Sequence, residues 1–260
     1  MKRFCLVLPA AFLLAALAAP VQQQSPRGPD GGTNVRVGGV GLLPISGEPL
    51  SADTRIDWTE TLADGTVVTK HLDGHLARDS QGRIYREGLT FATGESQSRL
   101  QLMVFFDPVA GTRTVCVVAT RHCAMSAYHP PTAFFTQPVG VFDGSRRYLA
   151  RETLGPNTIQ GIDVVGTRET TTINAGVLGN NQPLVSTREY WYSPELQTNL
   201  LVTRKSPQQG TQVIQLLNIS RADPPPERFQ PPAGFLVQDN RQAPRSASGA
   251  SIVIPPDVAR

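Results

Sequence analysis

From Leu50 onward the chain repeats one short phrase: a run of β-branched, aromatic and aliphatic residues, a turn written in Gly, Pro, Asp or Asn, then another such run. The clearest instance spans residues 188–206. Tyr190, Trp191 and Tyr192 lead into Ser193-Pro194-Glu195, and Leu200 to Thr203 lead out. Pro194 has its φ preset for the second position of a tight turn, and Ser193 suits the first. Turns this closely spaced leave almost no room for helices. The phrase predicts a mostly β chain: a single curled antiparallel sheet or half-barrel of about ten to eleven strands, with very little helix, over residues 50–237.

The strands are expected at residues 55–62, 66–72 with a continuation at 76–78, then 83–86, 100–106, 113–118, 122–128, 146–153, 163–173, 183–192, 196–205 and 211–221. Asp73-Gly74 reads as a bend, residues 175–181 as a long hairpin tip, and residues 132–137 as a loop or one short helical turn. Asp223-Pro224-Pro225-Pro226-Glu227-Arg228-Phe229 reads as a capped helical turn that docks Phe229. Alternation is imperfect. Leu200-Leu201-Val202 and Leu216-Leu217 are apolar on both faces, as where a sheet is covered on its outer side or lines a cavity.

The ends read differently. Lys2 and Arg3, an apolar stretch from Phe4 to Leu17 and the small-x-small pattern Ala16-Leu17-Ala18 form an export signal over residues 1–18, cleaved near Ala18. The stretch is too short for a comfortable bilayer span, which needs about 20 residues, and no later segment offers a transmembrane anchor. A bacterial periplasmic or secreted location is expected. Residues 19–49, rich in Gly, Pro and Gln, read as a flexible leader, and residues 238–260 as a flexible tail in which Ile252 to Ile254 offers an additional edge strand. The formal charge is only +3, and two of its bases, Lys2 and Arg3, lie in the export signal. The remaining bases are scattered, which excludes the electrostatic footprint of a nucleic-acid binder.

Of the 3 cysteines, Cys5 lies in the export signal. If Ala119-Thr120 form a hairpin tip, Cys116 falls opposite Cys123, at a separation a disulfide accepts. Export favours oxidation, and a loop this short would contribute about 2.5 kcal/mol. The reading is a structural staple, with free thiols or metal and redox chemistry as the alternatives.

Reactive constellations are absent from the sequence pattern. No Gly-x-Ser-x-Gly elbow occurs, and Gly144-Ser145-Arg146 is a turn before a strand. Glu189 and Glu195 flank a turn and read as solvated rather than as a glycosidase pair. His71 and His75 are four apart, but the intervening Asp73-Gly74 argues against a helix that would aim both at one metal. His122, Cys116 and Cys123 lack compact ligand spacing. No metal and no cofactor are expected. Arg99, Arg113, Arg121 and Arg146-Arg147 read as scattered surface arginines, with an anionic headgroup site as the alternative.

Five motifs in order carry a resemblance: Thr61-Leu62-Ala63-Asp64-Gly65; Arg78-Asp79-Ser80-Gln81-Gly82-Arg83; Asp107-Pro108-Val109-Ala110-Gly111; Leu154 to Gly161; and Tyr190 to Leu196. Over about residues 50–235 the chain resembles a group of secreted bacterial β-rich proteins. Their strand order is similar to the periplasmic lipoprotein-carrier and stress-sensor (LolA/RseB-like) half-barrel. The resemblance implies a non-catalytic concave sheet holding an acyl chain, lipoprotein or hydrophobic peptide. No carrier residue can be placed by motif, so none is carried over. Large apolar residues expected to face the concavity are Trp58, Met103, Phe105, Trp191 and Leu201; each equally suits a packed core. The expected partner is a lipid or lipoprotein. The alternatives are an envelope protein partner bound by a module with a closed core, and an enzyme of unrecognised type.

Overall fold

The computed structural model describes residues 40–91, 98–131 and 138–241. Its strands are β1 (Leu50–Thr61), β2 (Val67–Arg78), β3 (Ile84–Phe91), β4 (Ser98–Asp107), β5 (Thr112–Val117), β6 (His122–Ala127), β7 (Gly140–Phe142), β8 (Arg147–Ile159), β9 (Ile162–Ile173), β10 (Leu184–Ser193), β11 (Thr198–Ser206), β12 (Gly210–Ser220) and β13 (Leu236–Asp239). They form one sheet in the order β13-β6-β5-β4-β3-β2-β1-β12-β11-β10-β9-β8-β7. Two meanders thus join at the centre, where β1 pairs antiparallel with β12. Only β13, parallel to β6, departs from antiparallel pairing.

This order forces the sheet to curl. In a flat sheet β6 and β7 would lie eleven strand steps apart, about 53 Å at the usual spacing. The link from Ala127 to Gly140 spans about 47 Å when fully extended. The sheet remains an open half-barrel. Its two short edge strands, β7 and β13, add to the expected set because each pairs with little intrinsic strand signal of its own.

Two apolar clusters occupy opposite faces. Directly paired residues share a face, so Leu72, Ile56, Ile214, Val202 and Tyr190 form one row across β2, β1, β12, β11 and β10. With Leu50, Leu76 and Leu216, they build the first cluster. Ala77, Tyr85, Met103, Phe105, Cys116 and Cys123 point the other way and form the second, capped by Phe229 of a 3-10 turn (Pro226–Phe229). Among the described residues, each cluster is crossed by a chain segment: Val40 packs in the first and Phe229 in the second.

Residues upstream of Leu50 already take part in the core. Val40 and Leu43 are 3% and 5% exposed, and Thr198 Oγ1 donates to Gly41 O at 3.0 Å. The cause is Arg78. Completely buried at the end of β2, it donates to Leu43 O (3.0 Å), Glu48 O (2.8 Å) and Leu196 O (2.8 Å). One guanidinium thereby ties the leader and the β10–β11 turn to the first cluster, and its side defines the concave face. Burial pushes its pKa down to about 10.

Three local expectations are corrected. Asp73-Gly74 is no bend: β2 runs through it, and a Cβ at Gly74 would lie 2.6 Å from Leu89 Cδ1, which would have to shift to admit it. β8 continues past Thr153 to Ile159, carrying Gly155 and Pro156 at a bulge. The helical turn has no side-chain cap; Asp223 instead accepts from Ser80 N and Oγ, at 3.0 and 2.6 Å. Residues 1–39, 92–97, 132–137 and 242–260, with the export signal, the 132–137 loop and Ile252 to Ile254, lie outside the described residues.

Candidate functional site: the concave face

One residue pair above the apolar row, the same face turns polar. Lys70, Trp58, Gln212, Arg204, Arg188, Glu169 and Arg151 follow one another in register across seven strands. All are half-buried except Arg188, which is exposed. The row is held by its own contacts. Lys70 Nζ lies 4.9 Å from the Trp58 ring, Trp58 Nε1 donates to Gln209 O at 2.6 Å, and Arg204 Nη1 donates to Gln212 Oε1 at 3.4 Å. Arg151 Nε donates to Glu169 Oε1 at 2.9 Å. Four cations and one carboxylate therefore rim an aliphatic floor of Leu72, Ile56, Ile214 and Val202. The floor residues are themselves packed, between 1% and 5% exposed, so the half-buried rim is the part of this face open to a ligand.

Of the five apolar candidates, Trp58 lies on this rim. Trp191 packs against the first cluster at a β10–β11 bulge, while its cross-strand neighbour Leu201 continues in register with Gln215 and Arg55. The Trp191 ring covers Gly166, where a Cβ would lie 2.6 Å from Cζ3. Met103 and Phe105 pack in the second cluster. The five are thus not gathered into one site. The rim cations went unselected by the sequence reading, although a signal exists: Arg204 follows buried Val202, and Arg151 follows buried Leu149, at two-residue spacing. That spacing puts both members of each pair on one face.

The opposite face carries charge pairs. Arg55 Nε meets Asp73 Oδ1 at 2.8 Å, His71 Nδ1 meets Asp57 Oδ1 at 2.5 Å, and His75 Nδ1 meets Asp53 Oδ1 at 2.6 Å. Each histidine is thereby occupied by its own aspartate, and no group of three metal-ligating side chains gathers among the described residues. A cavity of about 360 Å³ opens beside Asp53, His75, Asn218, Ser220, Pro225 and Arg228. Asn218, in the left-handed region (φ 51) at the β1–β12 bulge, donates to Asp53 Oδ2 at 2.6 Å. The Asp53–His75 pair has the form of an oriented base, yet no hydroxyl or thiol is hydrogen-bonded to that ring among the described residues.

Cys116 and Cys123 form the disulfide, at a Cα–Cα distance of 3.9 Å and directly paired across the β5–β6 hairpin. No helix among the described residues is long and apolar enough to cross a membrane.

Fold and site together define an open, single-sheet antiparallel half-barrel with an amphiphilic concave face. No family model matches the chain, and no curated protein matches it in sequence. Among solved structures it is similar to an uncharacterized conserved protein from Thermus thermophilus, at 8% identity over 75% of this chain and 92% of that one, with a TM-score of 0.42. It is also similar to the MucA/MucB complex of Pseudomonas aeruginosa, at 14% identity over 70% of this chain and 56% of that one, TM-score 0.34. A third is the lipoprotein LppX of Mycobacterium tuberculosis, at 14% identity over 67% and 88%, TM-score 0.27. These likenesses concern strand arrangement and carry nothing about a ligand.

Proposed function

We propose that this is an exported, non-catalytic binding protein that holds a hydrophobic ligand, an acyl chain of a lipid or lipoprotein or a hydrophobic peptide, against the concave face of its sheet. The observation that carries the reading is a rim of half-buried aromatic and cationic side chains on one concave face, beside a buried aliphatic row. Burying methylenes yields roughly 0.8 kcal/mol each, so a long chain supplies on the order of 10 kcal/mol before ordering costs. No catalytic group is needed for this. Residues 1–18 direct export and place the chain in the periplasm or outside the cell.

The test is native mass spectrometry of the protein purified from an exported preparation, with organic extraction of bound material. Lipid or peptide near one per chain is expected. A clean apo mass, with no uptake when lipids or hydrophobic peptides are added, overturns the reading.

A second reading, an envelope protein-interaction module, is favoured by one feature. Val141, Tyr148 and Val185 share the outer face at the β7 edge and are 61%, 48% and 49% exposed. Under that reading the purified chain is apo, and crosslinking in cells captures a protein through this edge.

A further inference from the structure

Most of the buried or half-buried arginines have a compensating partner. Arg78 has three carbonyls, Arg83 has Asp79 at 2.5 Å, and Arg151 has Glu169. Arg86 and Arg113 differ. Their guanidinium carbons lie 5.9 and 5.7 Å from the centre of one ring, Phe106, and no carboxylate pairs with either among the described residues. Tyr128 packs beside the same ring at 5.1 Å.

The register sets this cluster on the concave side. Arg86 pairs with Leu76 of the first cluster on one side and with Val104 on the other, while Phe106 pairs with Arg113. Val104 and Leu102 continue the face upward as an apolar strip. Arg86 is half-buried and Arg113 exposed. Burial lowers the pKa of both arginines, and Arg113 lowers that of Arg86 further. Burial raises that of Tyr128, and the two arginines partly oppose this. Two adjacent guanidinium charges remain ionised under all ordinary conditions, and a ring face compensates them only in part. An oxyanion approaching either guanidinium would accept charge-assisted hydrogen bonds from its fork.

We propose that Arg86 and Arg113, seated on Phe106, bind the anionic head of an acyl amphiphile whose chain runs over half-buried Leu102. The proposal rests on the hydrophobic-ligand reading above and specifies its ligand class: a long-chain acyl compound with a carboxylate or phosphate head, rather than a neutral lipid.

Calorimetric titration of the purified full chain tests it with four probes: laurate, its neutral counterpart monolaurin, acetate and inorganic phosphate. Laurate is expected to bind at least about tenfold more tightly than monolaurin, as charge-assisted hydrogen bonds require, and the two chainless anions to show no binding. Arg86→Gln and Arg113→Gln should each reduce the laurate preference while leaving monolaurin affinity unchanged. Equal affinity for the two amphiphiles, or a preference that survives both substitutions, overturns the head-group assignment and leaves the hydrophobic reading standing. Inorganic phosphate binding as tightly as laurate overturns the lipid assignment in favour of a free-anion site. Binding of neither amphiphile overturns this inference together with the acyl-chain form of the reading beneath it. Arg113 is exposed, so Arg113→Gln alone decides the matter if Arg86→Gln fails to fold.

Discussion

Single residues in this sheet act through what their neighbours leave them. Gly166 illustrates the point: it pairs directly with Trp191, whose ring occupies the volume of a side chain. Gly166→Ala would set a Cβ 2.6 Å from Trp191 Cζ3 and 2.9 Å from Leu154 Cβ. It should destabilise the fold by about 1–3 kcal/mol, the usual cost of overpacking. Chemical denaturation measures this, and Trp191→Leu in the same chain should recover part of the loss, since residues in contact are not additive. Arg78 shows the opposite limit of legibility. Its place before Asp79-Ser80-Gln81-Gly82 marks a turn, and turn residues are ordinarily solvated. Nothing local reveals that its three acceptors come from residues 35 or fewer positions upstream and 118 downstream.

At the scale of elements, two ties hold chain segments in place. The disulfide closes the β5–β6 hairpin beneath Phe229. Cys116→Ser with Cys123→Ser should cost about 2.5 kcal/mol in the chain-entropy model, read as a lower denaturation midpoint, with hydrogen exchange rising first in β5, β6 and β13. The second tie is the Asp223–Ser80 clasp, which fixes the segment leading to the 3-10 turn. Hydrogen bonds from the Ser80 hydroxyl and amide hold the Asp223 carboxyl below its ordinary value. A depressed folded-state pKa means that this stabilisation is present above the ordinary value and lost as pH falls through the folded one. Hydrogen-exchange protection of residues 222–229 should therefore fall as pH drops below the ordinary carboxylate value. In Asp223→Ala the same segment should exchange faster throughout, with no additional loss of protection below that value. The hairpin staple was legible because turn position and cysteine spacing are local; the clasp was not, because its two ends lie 143 residues apart.

For the whole molecule, the half-barrel depends on a segment whose composition suggests a linker. A chain beginning at Leu50 would lose Val40 and Leu43 from the core, along with two of the three Arg78 acceptors and the Thr198 acceptor. It should be less stable by about 4 kcal/mol or more, from two buried aliphatic side chains and unsatisfied polar groups. A chain beginning at Val40 keeps all of these contacts and should be the more stable of the two truncations, as thermal unfolding would read.

Strand identity, hairpin positions, the Cys116–Cys123 pairing and the scarcity of helix were all readable from the sequence. Turn chemistry and β-favouring runs act within a few residues, and their signal survives without knowledge of the fold. Tertiary structure alone decided that β1 closes on β12, that the sheet must curl, and which side of each strand faces inward. Alternation defines two faces but does not say which one is concave. That choice put Met103 and Phe105 beneath Phe229, Trp191 against the first cluster, and Leu201 in register with Arg55. It also drew Trp58 into a cationic rim and set Arg86 beside Arg113 on one ring. Long-range pairing and curvature are properties of the assembled sheet, so side chains distant in the chain acquire a common ligand surface only once it has formed.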